Sequence, residues 1–135
     1  MYLNGYQIPN QKPTAMRLRF FDLARRVSLK SPSKYKLGCV IVSKNKIINV
    51  GFNDMNKTHP KANSAYKTLH AEIDALIGLD TSITKGCVVY LYREYKSGQP
   101  AIAKPCPSCE LALKKAGIKT VYYTSDNGPQ TMELL

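Results

Sequence analysis

The sequence predicts an α/β fold, and three observations carry that reading. A helical pattern with one apolar face covers residues 14–29. Two apolar, β-branched runs flank a short polar turn within residues 37–51. From residue 68 to residue 124, helical and strand patterns alternate. Alternation of this kind implies a parallel portion of sheet packed between helices. The chain has 135 residues, 44% hydrophobic and 21% charged, which suits one domain with a single core and argues against global disorder.

Residues 1–13 read as an irregular leader, broken by Gly5, Pro9 and Pro13, and residues 14–135 as one domain. In the first helix Met16, Phe20, Leu23, Ala24 and Val27 share a face, and Ser31-Pro32-Ser33 stops it. Residues 37–42 and 47–51 form an antiparallel hairpin across Ser43-Lys44-Asn45-Lys46. Residues 52–68 form a long polar loop. Thr68 can cap a helix running to about residue 79, and residues 80–86 are loop. Residues 87–92 are an uninterrupted apolar strand, as expected when both faces are buried. Residues 93–104 connect it to a helix that starts at Pro105 or Cys106 and ends at Ala116, before Gly117. Residues 121–124 form the last clear strand.

The net charge is +11, and residues 1–36 hold eight basic residues against the single acid Asp22. Such an excess favours anionic partners: nucleotides, nucleic acid or a membrane surface. A membrane span needs about 20 apolar residues, and the longest uncharged run, residues 1–11, carries Asn4, Gln7, Pro9 and Asn10. The N-terminus has no basic start followed by an apolar stretch, so a signal peptide is not expected and a cytoplasmic location is. In that setting the C-x-x-C formed by Cys106 and Cys109 reads as metal or redox before disulfide.

The informative residues are His70-Ala71-Glu72 and Pro105-Cys106-Pro107-Ser108-Cys109, each at the start of an expected helix. Cys106 and Cys109 are three apart, so both sulfurs can face one point, and the helix dipole favours their thiolates. Pro105 or Pro107 sacrifices no backbone bond in a first turn. With His70 as third ligand, two thiolates and an imidazole suit zinc rather than magnesium or calcium. Three protein ligands leave a fourth position for water, as in catalytic zinc sites. A closed structural site would need a fourth protein ligand, for which Cys39, Cys87 and His59 are available. Glu72 stands two residues from the histidine, where a carboxylate can take a proton from water and pass it to a leaving group.

His-Ala-Glu followed by Pro-Cys-x-x-Cys resembles the signature of the zinc deaminases. The chain is similar to the cytidine and deoxycytidylate deaminase superfamily over residues 37–124. Besides the two motifs, Leu37-Gly38-Cys39-Val40-Ile41-Val42 looks like its first core strand, with Cys39 in place of the usual alanine. Val50-Gly51-Phe52-Asn53 looks like the second, and Gly117-Ile118-Lys119-Thr120-Val121-Tyr122-Tyr123 like the strand after the second zinc helix. The resemblance implies a three-layer α-β-α, cytidine deaminase-like fold with a mixed sheet of four to five strands. The family usually has a helix and a strand after Tyr123. Here residues 131–135 can form a short strand, with no room for a helix before it. It also implies a catalytic zinc held by His70, Cys106 and Cys109, and Glu72 as the proton carrier. Asn53 is expected to bond the sugar or base, and the backbone amide of Ala71 to meet the base edge.

Cytosine in a (deoxy)cytidine nucleotide such as dCMP is the expected substrate. A single-stranded DNA or RNA cytosine deaminase is the alternative. It is suggested by the basic first helix, by the Pro-Cys-Pro-x-Cys form, and by residues 122–127, where Tyr123 and Asp126 could stack on or select a neighbouring base. At least one of Tyr122 and Tyr123 is expected in the core. A non-catalytic, zinc-stabilised nucleic-acid-binding module is a third reading. Lys57, His59, Lys61, Lys67 and Arg93 could each meet a phosphate. A homo-oligomer is expected if the edge of the sheet is left open.

Overall fold

The computed structural model describes residues 2–3, 6–7, 16–55 and 69–134. Two short strands, β1 (Tyr2–Leu3) and β2 (Tyr6–Gln7), pair antiparallel, so the leader is not wholly irregular. The main body runs α1 (Leu18–Ser28), β3 (Leu37–Ser43), β4 (Lys46–Phe52), α2 (Ala71–Leu76), α3 (Thr81–Thr84), β5 (Val88–Arg93), α4 (Pro107–Lys115), β6 (Thr120–Tyr123) and β7 (Gln130–Glu133). Five of these strands form one sheet in the order β4-β3-β5-β6-β7. The β5–β6 pair is parallel and the other three are antiparallel, so the sheet is mixed, as expected.

The strand sequences sort the core onto two faces, because successive side chains point to opposite sides. Cys39, Ile41, Val89, Leu91 and Val121 cluster with Ala71, Ala75 and Leu76 of α2 and Leu113 of α4. Val40, Val42, Tyr90, Tyr92 and Tyr122 cluster instead with Phe20, Phe21 and Ala24 of α1. This is the three-layer α-β-α arrangement. Cys39 is a fully buried core residue, and Tyr122 is the buried member of its tyrosine pair.

Two glycines let the helices lie this close. A Cβ on Gly38 would fall 2.7 Å from the Ser28 backbone nitrogen of α1 and would also strike the Ala24 carbonyl. A Cβ on Gly51 would fall 2.6 Å from the Ala71 carbonyl oxygen of α2 and would also strike the Ala75 nitrogen. The β3–β4 turn needs left-handed backbone at both central residues, Lys44 (φ 48°) and Asn45 (φ 66°), the pattern of the tightest hairpins.

Several expected boundaries move. The first helix starts at Leu18 because the Arg17 backbone N–H, in an extended conformation, donates to the Tyr90 hydroxyl at 2.9 Å. Thr14 lies outside the described residues, as do Thr68, Lys57, His59, Lys61 and Lys67. The second helix stops at Leu76 rather than residue 79, and Gly78 follows at φ 81°. Asp80 then caps the single turn α3, accepting from the Ser82 amide at 3.2 Å, in what was expected to be loop. The fifth strand does form, as β7, and returns antiparallel through a turn rather than by a helical crossover. No helix among the described residues is long and apolar enough to cross a membrane.

Candidate active site

Both motifs sit where the sequence placed them. His70 is the N-cap of α2 and Glu72 lies in its first turn. Cys106 is the N-cap of α4, with Pro107 in the first turn, and its sulfur accepts from the Cys109 amide at 3.5 Å. The His70 Nδ1 lies 3.3 Å from Cys109 Sγ and 3.7 Å from Cys106 Sγ. All three donor atoms lie within 4.8 Å of one another, and this is the one such cluster among the described residues. Cys39 and Cys87 are not part of it, so neither closes the site with a fourth ligand.

The electrostatics fit a cation at this point. The Cys109 thiol is pushed far up by burial, and next by the negative charges of Glu72 and Cys106. The Glu72 side chain is 3% exposed, and burial raises its carboxyl; its contact with Cys109 works the other way. Burial also lowers His70, which favours the neutral imidazole that a metal needs. A buried thiol such as Cys109 that resists ionisation becomes ionised once a divalent cation stands beside it. Two sulfurs and an imidazole are the donors zinc prefers.

Three contacts hold α2 against the sheet. The Phe52 amide donates to Asp74 Oδ2 at 3.0 Å, and Asn49 Nδ2 donates to the Ala75 carbonyl at 2.8 Å. Asp54, just past β4, and Leu69, just before α2, exchange backbone hydrogen bonds.

A cavity of about 350 Å³ opens over His70, Glu72 and Cys106. Its other lining residues are Ala71, Leu37, Asn53, Tyr35, Arg93, Ile102 and Lys104. The structure therefore places Asn53 and Ala71 in one cavity with His70, Glu72 and Cys106. Asn53 also does structural work there: its Oδ1 accepts from the Leu37 amide at 2.8 Å and its Nδ2 donates to the Tyr35 carbonyl. Tyr123 and Asp126 do not line this cavity. Tyr123 packs on the core, and Asp126 accepts from the Tyr95 hydroxyl at 3.0 Å. The basic helix α1 lies across the sheet from the metal ligands. There Arg17 Nε donates to Asn45 Oδ1 at 2.9 Å, and Arg25 pairs with Glu94 at 3.3 Å.

Sequence reasoning missed one wall of the cavity. After β5 the chain makes an excursion in which Glu94 bridges Pro100, and Ala101 and Ala103 return alongside β5 and β6. The excursion is pinned by Thr124, which is fully buried. Its hydroxyl accepts from the Arg93 amide at 3.1 Å and donates to the Ala101 carbonyl at 2.8 Å. This fold-back sets Arg93, Ile102 and Lys104 over the metal ligands. Only the Gly98 and Pro100 breakers hinted at it in the sequence.

Known proteins resemble this chain in sequence and fold. The family model for the cytidine and deoxycytidylate deaminase zinc-binding region matches residues 14–125. An uncharacterized deaminase of the luxG 3′ region of Aliivibrio fischeri is 32% identical over 113 residues, covering 77% of this chain and 69% of its own length. Human deoxycytidylate deaminase is 27% identical over 110 residues, covering 72% of this chain, and the match spans only 56% of the human protein. The structure of dCMP deaminase from cyanophage S-TIM5 in complex with dCMP and dUMP shares the fold, with a TM-score of 0.57 at 21% identity. The match covers 84% of this chain and 83% of that one.

Proposed function

The chain belongs to the cytidine and deoxycytidylate deaminase family, and from that premise we propose that it converts cytosine to uracil in a (deoxy)cytidine nucleotide such as dCMP, releasing ammonia. The observation that carries this reading is the buried Glu72 carboxyl beside His70, Cys106 and Cys109 at the base of the cavity. The names of the human relative and of the cyanophage enzyme support the choice of dCMP.

His70, Cys106 and Cys109 would hold the zinc. When bound, zinc supplies a water activated for attack at neutral pH. Glu72 moves the protons. Its carboxylate takes one from the attacking water as oxygen adds to the ring carbon bearing the amine, delivers it to the adjacent ring nitrogen, and then carries a proton to the amine. The carbon–nitrogen bond breaks, ammonia leaves, and the water's oxygen remains as the uracil carbonyl. A first-turn position leaves the Ala71 N–H without an intrahelical acceptor, so it is available to the base edge. Asn53 fixes the backbone of residues 35 and 37 and presents its remaining amide capacity to the sugar or base.

A second reading, deamination of cytosine in a single strand, draws on one observation. Tyr35 is 56% exposed at the cavity mouth, with the Arg93 guanidinium 5.2 Å and the Lys34 ammonium 5.6 Å from its ring centre. Exposed aromatics beside cations stack on bases. A non-catalytic zinc module leaves the buried carboxyl of Glu72 without a use.

The test is turnover of dCMP by zinc-loaded protein, followed by mass spectrometry as a gain of about 1 Da, with Glu72→Gln as the comparison. Loss of a general acid–base group typically costs about 10²–10⁴-fold. The reading predicts a loss in that range with zinc content retained. Glu72→Gln at full activity would overturn it.

A further inference from the structure

The cavity has chemical polarity. Its base holds the buried Glu72 and the metal ligands, and its rim holds the exposed Tyr35, Ile102 and Lys104 with the half-exposed Arg93. Glu72 is the only acid among the described residues lining it, and apart from His70 the cations are Arg93 and Lys104. A ligand that matches this lining carries a neutral polar ring at one end and an anion at the other. We propose that Arg93 and Lys104, set at the two ends of the excursion after β5, form a phosphate subsite that makes this enzyme select a nucleoside monophosphate over the free nucleoside. The inference rests on the cytosine deaminase reading above.

Arg93 is held for this task by its surroundings. Its backbone N–H donates to Thr124 Oγ1, and its carbonyl accepts from the Ala101 amide at 2.8 Å. Its guanidinium spends one donor on the Ile102 carbonyl at 3.3 Å and lies over the Tyr35 ring. A guanidinium has five N–H donors in a rigid fork, so several remain for an oxyanion. Among the described residues the one ion pair is Arg25–Glu94, so neither Arg93 nor Lys104 is neutralised by a described carboxylate. The other Arg/Lys-rich surface, on α1, faces away across the sheet, and there Arg25 is already engaged by Glu94. A cavity of about 350 Å³ lies within the usual range for small-ligand sites. Two cations at one rim match a terminal phosphate, which carries about −1.5 to −2 near neutral pH, better than a singly charged diester in a strand.

The experiment compares kcat/KM for dCMP, deoxycytidine and a cytosine-bearing single-stranded oligonucleotide in zinc-loaded wild type, Arg93→Met, Lys104→Met and Arg93→Lys. Titration calorimetry with dUMP and deoxyuridine reads the same subsite without turnover. The wild type is expected to favour dCMP over deoxycytidine, and dUMP over deoxyuridine, by at least tenfold. Arg93→Met should cut the dCMP-to-deoxycytidine ratio by about tenfold or more, mainly through KM. Lys104→Met should cut it by less, and Arg93→Lys should restore part of it. A variant that merely folded poorly would lower both substrates and keep the ratio. Ratios unchanged by either Met substitution, or a wild type that binds dUMP no better than deoxyuridine, overturn the subsite. A wild type that prefers the oligonucleotide overturns the choice of a monophosphate. If the wild type turns over none of the three substrates, the deaminase reading fails by itself, and the calorimetric ratio still decides the subsite.

Discussion

Gly51→Ala is the substitution whose consequence the structure specifies most fully. The added Cβ would sit 2.6 Å from the Ala71 carbonyl oxygen, against 3.4 Å for ordinary contact, and it would also strike the Ala75 nitrogen. Both obstacles are backbone, so no side chain can swing aside. The helix α2 must retreat by at least about 0.8 Å, the difference between those two distances, because the Ala75 nitrogen lies closer still. That helix carries His70 at its N-cap and Glu72 in its first turn, so the shift is passed directly to the metal ligand and the proton carrier. Overpacking costs about 1–3 kcal/mol, which for a domain of this size lowers Tm by roughly 4–11 °C. A misplacement near 1 Å costs on the order of 10²-fold in rate. Gly38→Ala is the control. Its Cβ would meet α1 at least as severely, 2.7 Å from the Ser28 nitrogen and against the Ala24 carbonyl, but on the face away from the metal ligands. Thermal melts, zinc content and dCMP turnover measured well below both midpoints separate the two effects. Both variants should melt early, and only Gly51→Ala should lose turnover and zinc per folded molecule. Equal turnover losses in the two variants would refute the positioning argument, and a Gly51→Ala protein with wild-type Tm would refute the clash itself.

The sequence made the metal cluster legible because its geometry is local. Cys106 and Cys109 lie on one helical turn, His70 and Glu72 on another, and each pair needs only a helix start to be correctly aimed. The sheet core was legible for a similar reason. The strands alternate between Val40 or Tyr90 on one face and Ile41 or Val89 on the other, and that period survives any change of neighbour. What stayed hidden depends on contacts distant in sequence. Thr124 reaches back 31 residues to Arg93, and nothing in the pattern around either residue announces it. The excursion between Arg93 and Lys104 therefore read as a plain connection, although it builds a wall of the cavity. The early stop of α2 follows from Gly78, inside the expected helix, and the capped turn of α3 from Asp80, at the start of what read as loop. The basic stripe of α1 suggested a strand-binding surface. Its placement was undecidable until the packing of Phe20 and Phe21 on Tyr90 put the helix on the far face.

Two further predictions follow from buried polar groups. Thr124→Val removes a hydroxyl that serves the Arg93 amide and the Ala101 carbonyl inside the core, and leaving such groups unpaired costs about 1–3 kcal/mol. Urea unfolding should show that loss in Thr124→Val and its recovery in Thr124→Ser; a neutral valine would mean the excursion is held by something else. The second concerns alkali. Burial raises the Tyr90 phenol from 10.0 to about 12, and it raises Tyr92 further, helped by the hydrogen bond that Tyr92 donates to Glu94 at 2.6 Å. The unfolded chain gives up these protons near pH 10 while the folded chain still holds them. Stability from them is thus complete below pH 10 and drains away as the pH climbs through the folded value of Tyr90 near 12. Tyr90 is 1% exposed, and its share is on the order of 2–3 kcal/mol. Unfolding midpoints in urea should therefore be flat from pH 8 to 9.5 and fall steeply from pH 10 to 11.5. Tyr90→Phe, which gives up the bond from the Arg17 amide, should start lower yet fall less steeply. Parallel slopes for the two proteins across that interval would show that the buried phenols do not control alkaline unfolding.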